Sequence, residues 1–178
     1  DTSYVKLSDT IVRICSVTEH IVIEEGVSEI GNYVFQNFAT DFPNIESLSL
    51  PMTITAIGTN AFKDVDFVAL NTDMSVFANI ETIDNYSFNS CTFNDVKFSS
   101  LQKVGGSSGY GFTRSTFNSV ELSENLTHLG SGAFYGVTIK SGNFRFPDCI
   151  KAIPYAVLQY SNVQNVYLGK NVNEISPY

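Results

Sequence analysis

The residues best suited to nucleophilic or metal chemistry in this sequence are two histidines and three cysteines. His20 and His128 have no serine or cysteine nucleophile motif near them, whereas a catalytic triad needs its three members within hydrogen-bond reach. Cys15, Cys91 and Cys149 are far apart and form no CxxC or Cys/His cluster, which argues against zinc. One disulfide is arithmetically possible, but buried reduced thiols are the preferred interpretation. The sequence therefore predicts no enzyme, no metal and no cofactor.

Two further segments contain ligand-binding residue types. Asp64, Asp66 and Asp95 could approach one another across repeats and hold calcium, but the EF-hand loop and the Gly-Asp nonapeptide are both absent. Solvated carboxylates are the preferred interpretation. Residues 105–111 are rich in glycine, yet they match no phosphate-binding pattern and no long helix follows. We interpret them as a flexible inserted loop in which Tyr110 is a candidate contact residue.

Composition and charge exclude several classes of partner. The chain has 178 residues and a net charge of −8, with lysines and arginines scattered singly. Nucleic-acid backbones and anionic membrane surfaces require a basic stripe, which the sequence lacks. No apolar run approaches the roughly 20 residues that span a bilayer, so no membrane insertion is expected. The 14 Phe and 9 Tyr, without any Trp, indicate that one aromatic residue recurs at one structural position.

A six-residue motif recurs along the chain. Its first position is aliphatic, its second is usually Gly, its third and fourth vary, its fifth is often Ala and its sixth is Phe. Its copies begin at Ile30, Ile57, Ile83, Val104, Leu129, Ile153 and Ile175. Successive spacings of 27, 26, 21, 25, 24 and 22 residues are typical of short solenoid repeats. The glycine permits a tight turn with unusual backbone angles, and Asp84 or Ser176 in that position could cap a following helical turn.

A short apolar–any–apolar segment precedes each copy, which is the period-2 pattern of a strand with one buried face. We predict parallel strands at residues 48–50, 68–70, 96–98, 120–122, 144–146 and 166–168. The motif phenylalanines should fill the space between coils and stack into an aromatic spine. The spine residues are Phe35, Phe62, Phe88, Phe112 and Phe134. The fold predicted is a mainly β repeat solenoid with one short parallel strand and one short helical or irregular turn per coil.

The motif resembles the BspA-like, or treponemal-type, leucine-rich repeat, whose consensus runs from a strand and Pro to the aliphatic-Gly-x-x-Ala-Phe turn and a cysteine. The matching features are Leu50-Pro51, Phe146-Pro147, the aliphatic spacing in Val27–Ile30 and Ile80–Ile83, and Cys91 three residues after Phe88. The resemblance covers about residues 17–178 and is degenerate at 105–112 and 154–158. It implies a leucine-rich-repeat solenoid and a surface-exposed or secreted adhesion or binding protein of bacteria or protists.

Two regions frame the repeats. Residues 1–16 do not fit the motif, and the alternation in Val5–Leu7 and Thr10–Ile14 predicts an irregular first coil or cap. Residues 17–178 form the solenoid of about six to seven repeats. Because the motif breaks off after Ile175, we expect further repeats or domains in the parent chain.

Outward strand positions should form columns on the sheet surface, because side chains alternate between faces. One column is Val22, Ser49, Ala69, Lys97, Glu121, Arg145 and Tyr167, and its neighbour is His20, Ser47, Phe67, Asp95, Ser119, Asn143 and Asn165. Adjacent strands lie about 4.8 Å apart, so Lys97, Glu121 and Arg145 should form an alternating charge ladder. The candidate contact residues on this face are Phe67, Lys97, Glu121, Arg145 and Tyr167, with the Phe-turn side inert. The alternative is a merely solvated sheet face.

These features, with the resemblance, favour a non-catalytic protein-binding or adhesion module of a cell-surface or secreted protein. It would bind through the sheet face or the inserted loops, and host and matrix proteins are among the candidate partners. An intracellular scaffold or a periodic spacer built on the same repeats is the alternative, so an intracellular location stays open.

Overall fold

The computed structural model describes residues 2–7, 10–15 and 19–176, in which the chain winds into a stack of coils. In chain order the strands are β1 (Thr2–Leu7), β2 (Thr10–Cys15), β3 (His20–Val22), β4 (Glu29–Ile30), β5 (Ser47–Ser49), β6 (Ala56–Ile57), β7 (Thr82–Ile83), β8 (Thr92–Phe98), β9 (Lys103–Val104), β10 (Thr116–Leu122), β11 (His128–Leu129), β12 (Thr138–Ile139), β13 (Asn143–Arg145), β14 (Ala152–Ile153), β15 (Asn165–Tyr167) and β16 (Glu174–Ile175). The helical elements are α1 (Phe38–Asp41) and a 3₁₀ helix (Met74–Asn79). Apart from the β1–β2 hairpin, the described strand pairings are parallel, which confirms the predicted mainly β solenoid.

The aliphatic positions of the motif build two parallel sheets along the stack, here together called the motif sheet. Strands β4, β6, β7, β9 and β11 form its five-stranded part, and β14 pairs with β16 beyond it. The register places Ile30 beside Ile57 and Ile57 beside Ile83, so the repeat alignment read from the sequence is the register of the structure. Each of these three side chains is buried, because the next coil covers it.

The segments that precede the motif form the second set of strands, whose exposed surface is here called the strand face. It consists of three separate sheets, β3–β5, β8–β10–β12 and β13–β15. The predicted strands 96–98 and 120–122 are the ends of the longer β8 and β10, and those at 48–50, 144–146 and 166–168 lie one residue earlier, in β5, β13 and β15.

The prediction of a strand at 68–70 is wrong. These residues lie in a turn that leads toward the 3₁₀ helix. The carboxylate Oδ1 of Asp66 accepts hydrogen bonds from the amides of Val68 and Ala69, each at 3.0 Å. An aspartate side chain that bonds the backbone two and three residues ahead competes with strand pairing, and here the local turn prevails.

The first 15 residues contain a hairpin. Strands β1 and β2 pair antiparallel from Thr2 opposite Cys15 to Leu7 opposite Thr10. Both predicted strand segments, 5–7 and 10–14, fall inside it. The domain boundary near residue 16, the capping role of the hairpin and the continuation of the parent chain stay predictions.

The aromatic spine lies along the middle of the stack. Its five phenylalanines, Phe35, Phe62, Phe88, Phe112 and Phe134, are fully buried. Successive ring centroids are 5.3, 5.6, 5.4 and 5.0 Å apart, with interplanar angles between 6° and 17°. Each ring therefore packs between the coil above and the coil below, where its loss would open a cavity shared by both.

A second aromatic column runs beside the spine. Phe67, Phe93 and Phe117, each five residues after a spine phenylalanine, stack at 5.0 and 4.8 Å. Phe77 from the 3₁₀ helix packs edge-on against Phe67 and Phe93. Three coils thus have a core phenylalanine at two positions each, which contributes to the abundance of this residue.

The motif glycines serve close approach between coils. Among the motif glycines, Gly105 has the unusual backbone that was predicted, with a φ of 76°, whereas Gly58 and Gly130 do not have a positive φ. A Cβ atom on Gly58 would instead lie 2.6 Å from Oδ1 of Asn32 in the preceding coil. The left-handed backbone occurs two residues before and two residues after the spine position, at Tyr33, Asn37, Asn60, Asp64, Tyr86, Ser90, Arg114, Gly132, Gly136, Ala156 and Tyr160. Asp84 likewise caps no helix: its Oδ1 accepts from the amide of Asn85.

Candidate binding surfaces

The strand face carries pairs of polar side chains from adjacent coils. Nζ of Lys97 lies 2.5 Å from Oε1 of Glu121, and both side chains are more than half exposed. Next to this pair, Ser119 donates a 2.6 Å hydrogen bond to Asp95. The parallel register of β8 and β10 sets both contacts, since it places Lys97 beside Glu121 and Asp95 beside Ser119.

The predicted charge ladder ends at Glu121. The guanidinium of Arg145 is 3.4 Å from Asp148, and Lys170 contacts the same carboxylate at 2.9 Å. Strand β13 pairs with β15 and not with β10, since residues 140–142 turn the chain away after β12. The hydrogen bonds from Lys170 hold the pKa of the Asp148 carboxyl below its ordinary value. Tyr167 is exposed on β15, as predicted.

The expectation that Phe67 lies on the strand face is wrong. Its side chain is fully buried and belongs to the second aromatic column. The physical reason is its position in the coil: Phe67 follows a spine phenylalanine by five residues, as do Phe93 and Phe117, which are buried within β8 and β10. Phe67 therefore cannot contact a partner of the folded chain.

Tyrosines form a row on the surface beside the spine, here called the turn edge. The rings of Tyr86 and Tyr110 stack at 5.3 Å with an interplanar angle of 2°. Tyr135 meets Tyr110 edge-on at 6.0 Å, and Tyr160 meets Tyr135 edge-on at 5.3 Å. Tyr160 is 76% exposed, and the rings of Tyr86, Tyr110 and Tyr135 are half-buried. Successive coils thus place one tyrosine each in a continuous aromatic strip.

The tyrosines border a groove of about 410 Å³, here called the tyrosine groove. The lining residues are Tyr86, Asn89, Tyr110, Thr113, Arg114, Tyr135, Tyr155 and Gln159. Arg114 is exposed and is the one charged side chain among these described lining residues. The groove therefore combines aromatic edges, amide groups and a single positive charge on an otherwise acidic protein.

The glycine-rich loop that holds Tyr110 is anchored, contrary to the interpretation as a flexible insertion. Oδ1 of Asn85 accepts hydrogen bonds from the amides of Ser108 and Gly109 at 3.0 and 3.1 Å. Gly109 also approaches the backbone of Ser131 so closely that a Cβ atom would overlap the Ser131 carbonyl. The loop glycines thus let neighbouring coils touch, and they fix the position of Tyr110.

A cleft of about 970 Å³ separates the coil of β11 from the coil of β14. In other coils the amide that follows the motif aliphatic residue donates to the preceding coil, as Gly130 does to Val104 at 2.8 Å. Pro154 occupies that position in the next coil and has no N–H to donate, and β11 and β14 do not pair. Leu129 and Pro154 both line the resulting cleft.

The candidate catalytic and metal residues are placed apart. Nδ1 of His20 is 2.8 Å from the Ser47 hydroxyl, whereas His128 borders the cleft on a different coil. The carboxylate of Asp66 accepts a hydrogen bond within its own turn, and the carboxylate of Asp95 accepts one from Ser119. Among the described residues no group of three or more His, Cys, Asp and Glu is close enough to hold a metal ion.

The two cysteines whose side chains are described are free thiols. Cys91 is buried, with Sγ 2.9 Å from the carbonyl oxygen of Phe62, and burial raises the pKa of its thiol. Cys149 is half-buried beside Ser123, and burial raises the pKa of that thiol as well. A thiol with a raised pKa is a poor nucleophile at neutral pH.

Among the residues that the structure describes, no helix is long and apolar enough to span a membrane.

Comparison with known families identifies the repeat. The family model described as the BspA type leucine rich repeat region matches residues 6–108 and 81–178, in 6 copies. The chain belongs to this family. No curated protein matches it.

Two solved leucine-rich repeat structures resemble this BspA-type chain. A leucine-rich repeat protein from Eubacterium ventriosum is 18% identical, with a TM-score of 0.47, over 99% of this chain and 40% of its own. A leucine rich cell surface protein from Faecalibacterium prausnitzii is 16% identical, with a TM-score of 0.50, over 99% of this chain and 52% of its own. At these identities the likeness concerns the fold. The chain spans about half or less of the length of these proteins.

The sequence pattern indicated Tyr110 but not the tyrosines that contact it in the BspA-type coils. Tyr33, Tyr86 and Tyr110 share the position two residues before the spine phenylalanine, and Tyr135 directly follows one. The repetition is present in the sequence at the positions that flank the phenylalanines. The contact between Tyr135 and Tyr160 depends on the turn geometry and has no signal in the sequence.

Proposed function

We propose that this BspA-type chain is a non-catalytic protein-binding or adhesion module. The observation that carries the proposal is the row of tyrosines from successive coils around one groove. Tyrosine and arginine are enriched at the positions that contribute most to protein-binding energy. Because the coil stack fixes these side chains, little conformational entropy remains to be lost on binding.

Two surfaces of the molecule are candidates for contact. The strand face offers Lys97, Glu121, Arg145 and Tyr167, and the turn edge offers Tyr110 with its neighbours. On the strand face, Lys97 and Glu121 already satisfy each other, and Arg145 pairs with Asp148. A partner there must compete with these pairs, which favours the turn edge.

We further propose that the parent protein is exposed at the cell surface or secreted. The family is commonly found in surface proteins, and the Faecalibacterium protein is described as one. Protease treatment of intact source cells tests this location: the chain should be degraded while a cytoplasmic marker survives. Survival of both would favour the intracellular scaffold.

Display selection tests the binding function. A peptide library is selected on the folded chain and counter-screened on two variants, Lys97→Ala/Arg145→Ala/Tyr167→Ala and Tyr135→Ala/Tyr160→Ala, each checked for folding. The proposal expects enriched clones that lose binding to one of the two variants. A spacer, by contrast, should yield no enriched clone, or only clones that bind all three proteins equally.

A further inference from the structure

We propose that the tyrosine groove binds an extended proline-rich segment in the polyproline II conformation that carries an acidic side chain. The inference rests on the proposed function, for which it names the site and the partner class. Aromatic-lined grooves are a recurrent means of recognising this conformation. Ring orientation, hydrogen-bonding capacity and charge each favour it here.

Ring orientation leaves edges and hydroxyl groups exposed. One face of Tyr110 is covered by Tyr86, and its ring also packs over the α-carbon of Gly132. Tyr135 presents its ring at 70° to that of Tyr110, and Tyr160 lies at 79° to Tyr135. Rings in edge-to-face contact present edges and hydroxyl groups and not one open aromatic face. A proline ring can pack against such edges, whereas a sugar ring stacks on an open aromatic face.

The hydrogen-bonding groups of the groove match a polyproline II backbone. This conformation has no internal hydrogen bonds, so its carbonyl groups remain available as acceptors, and proline has no N–H to satisfy. The groove offers the hydroxyls of Tyr86, Tyr110 and Tyr135 and the side-chain amides of Asn89 and Gln159. No hydrogen bond from these three hydroxyls to a residue of the described ranges occurs. The groove thus supplies donors where the ligand supplies acceptors.

The charge of the groove selects the ligand further. Arg114 forms no ion pair with any described residue, and it lines the same groove as the tyrosines. A guanidinium pairs best with a carboxylate, which it can bind through two parallel hydrogen bonds. An aspartate or glutamate within the proline-rich segment would meet this need, and a lysine there would be repelled.

The groove is built before any ligand arrives. The amide of Tyr86 donates to Tyr110, that of Arg114 donates to Tyr135, and that of Gly136 donates to Gln159, at 2.8 to 2.9 Å. These bonds hold Tyr86 and Arg114 in the left-handed conformation, with φ of 54° and 58°. A polyproline II segment is also ordered in advance, so neither side loses much entropy on association.

The test uses fluorescence anisotropy with three labelled peptides on the full chain. The first has aspartate between two runs of five prolines, the second has lysine at that position, and the third has the aspartate within a glycine–serine chain. The first should bind about tenfold or more tighter than either other peptide. Cellohexaose, added as a competitor, should not displace it.

Single substitutions locate the site. Tyr135→Phe keeps the ring and removes one donor, and it should weaken the first peptide about three- to tenfold. Arg114→Gln should abolish the preference for aspartate over lysine. Tyr33→Ala is the matched control, because Tyr33 occupies the same motif position outside the groove and is 57% exposed. It should leave affinity unchanged.

Several results would overturn the assignment. These are equal binding of the first and third peptides, no binding by any peptide, or full binding after both Tyr135→Phe and Arg114→Gln. Displacement by cellohexaose that Tyr135→Phe abolishes would assign the groove to a carbohydrate. If the proline peptides fail while display selection still yields surface-dependent clones, the binding-module proposal stands and only the ligand class is wrong. If both fail, both proposals are wrong.

Discussion

The ring of Tyr110 packs directly over the α-carbon of Gly132 in the next coil. A Cβ atom on Gly132 would overlap three carbon atoms of that ring. Gly132 also has a φ of 62°, so its backbone and its neighbour both favour the absence of a side chain. The position of Tyr110 in the tyrosine groove therefore depends on Gly132, which lies on the side of the ring that faces away from solvent.

Gly132→Ala should destabilise the chain and displace Tyr110. The added methyl group overlaps the ring of Tyr110, and alanine must adopt a left-handed backbone at this position. Together these effects should lower the free energy of unfolding by about 2–4 kcal/mol. Urea denaturation measures the loss. Gly136→Ala is the control, because it has a similar φ of 66° but only ordinary contact with Arg114 at 3.4 Å. Equal losses in the two variants would contradict the packing of Tyr110 on Gly132.

Phe62→Ala should be strongly destabilising. Phe62 is fully buried between Phe35 and Phe88, so truncation leaves a cavity in two adjacent coils. We expect the free energy of unfolding to fall by about 3–5 kcal/mol. Tyr160→Ala, at a position 76% exposed, should change it by less than about 0.5 kcal/mol. A loss under about 1 kcal/mol for Phe62→Ala in chemical denaturation would refute the spine.

The sequence was sufficient to predict the spine and the register of the motif sheet, because both repeat with the coil. Phe62 recurs as Phe88, and Ile57 recurs as Ile83, with the same burial each time. The outward position predicted for Phe67 comes from counting back along the predicted strand 68–70, whereas Phe67 recurs as Phe93 and Phe117, which are buried. The strand predicted at 68–70 is absent because the Asp66 side chain bonds the backbone of these residues. Local hydrogen bonding of this kind is not visible in a hydrophobic pattern.

The lack of pairing between β11 and β14 is a second feature that the hydrophobic pattern did not predict. In the sequence Pro154 marks only a degenerate copy of the motif, yet its missing N–H removes one of the hydrogen bonds that join the other coils, at the place where β11 and β14 do not pair. The consequence could be predicted only once the inter-coil hydrogen bonds of the other coils were known.

Pro154→Gly should close part of the cleft. The new amide can donate to Leu129, as the Gly130 amide donates to Val104. Hydrogen exchange checks this directly: the amide at 154 should be protected to a similar degree as that of Gly130. Exchange at the rate of an exposed amide such as Ser131 would show that the coils are held apart by other contacts.

Asp148→Asn should lower stability at neutral pH and lose its effect in acid. The hydrogen bonds from Lys170 lower the pKa of the Asp148 carboxyl from its ordinary 3.8. A carboxyl with a lowered folded-state pKa stabilises the fold above that ordinary value, and the contribution disappears as pH falls through the folded pKa. Urea unfolding at pH 7 and pH 2 should therefore show a difference only at pH 7.

Lys170→Met provides the control for this pair. In the Lys170→Met background, Asp148→Asn should have a smaller effect at pH 7, because the largest cause of the pKa shift has been removed. An effect of Asp148→Asn that is unchanged by pH and by Lys170→Met would mean that the carboxylate acts through its backbone contacts alone.

Exchanging the charges of Lys97 and Glu121 should leave the fold intact and test the strand face. Both side chains are more than half exposed, so their coupling should be under about 1 kcal/mol and should weaken in high salt. The double variant Lys97→Glu/Glu121→Lys keeps one opposite-charge pair and should unfold at the same urea concentration as the native chain. A partner bound on the strand face, however, meets an inverted charge pattern and should dissociate, whereas a ligand of the tyrosine groove should bind as before. Loss of proline-peptide binding in this folded variant would place the ligand on the strand face and contradict the turn-edge site.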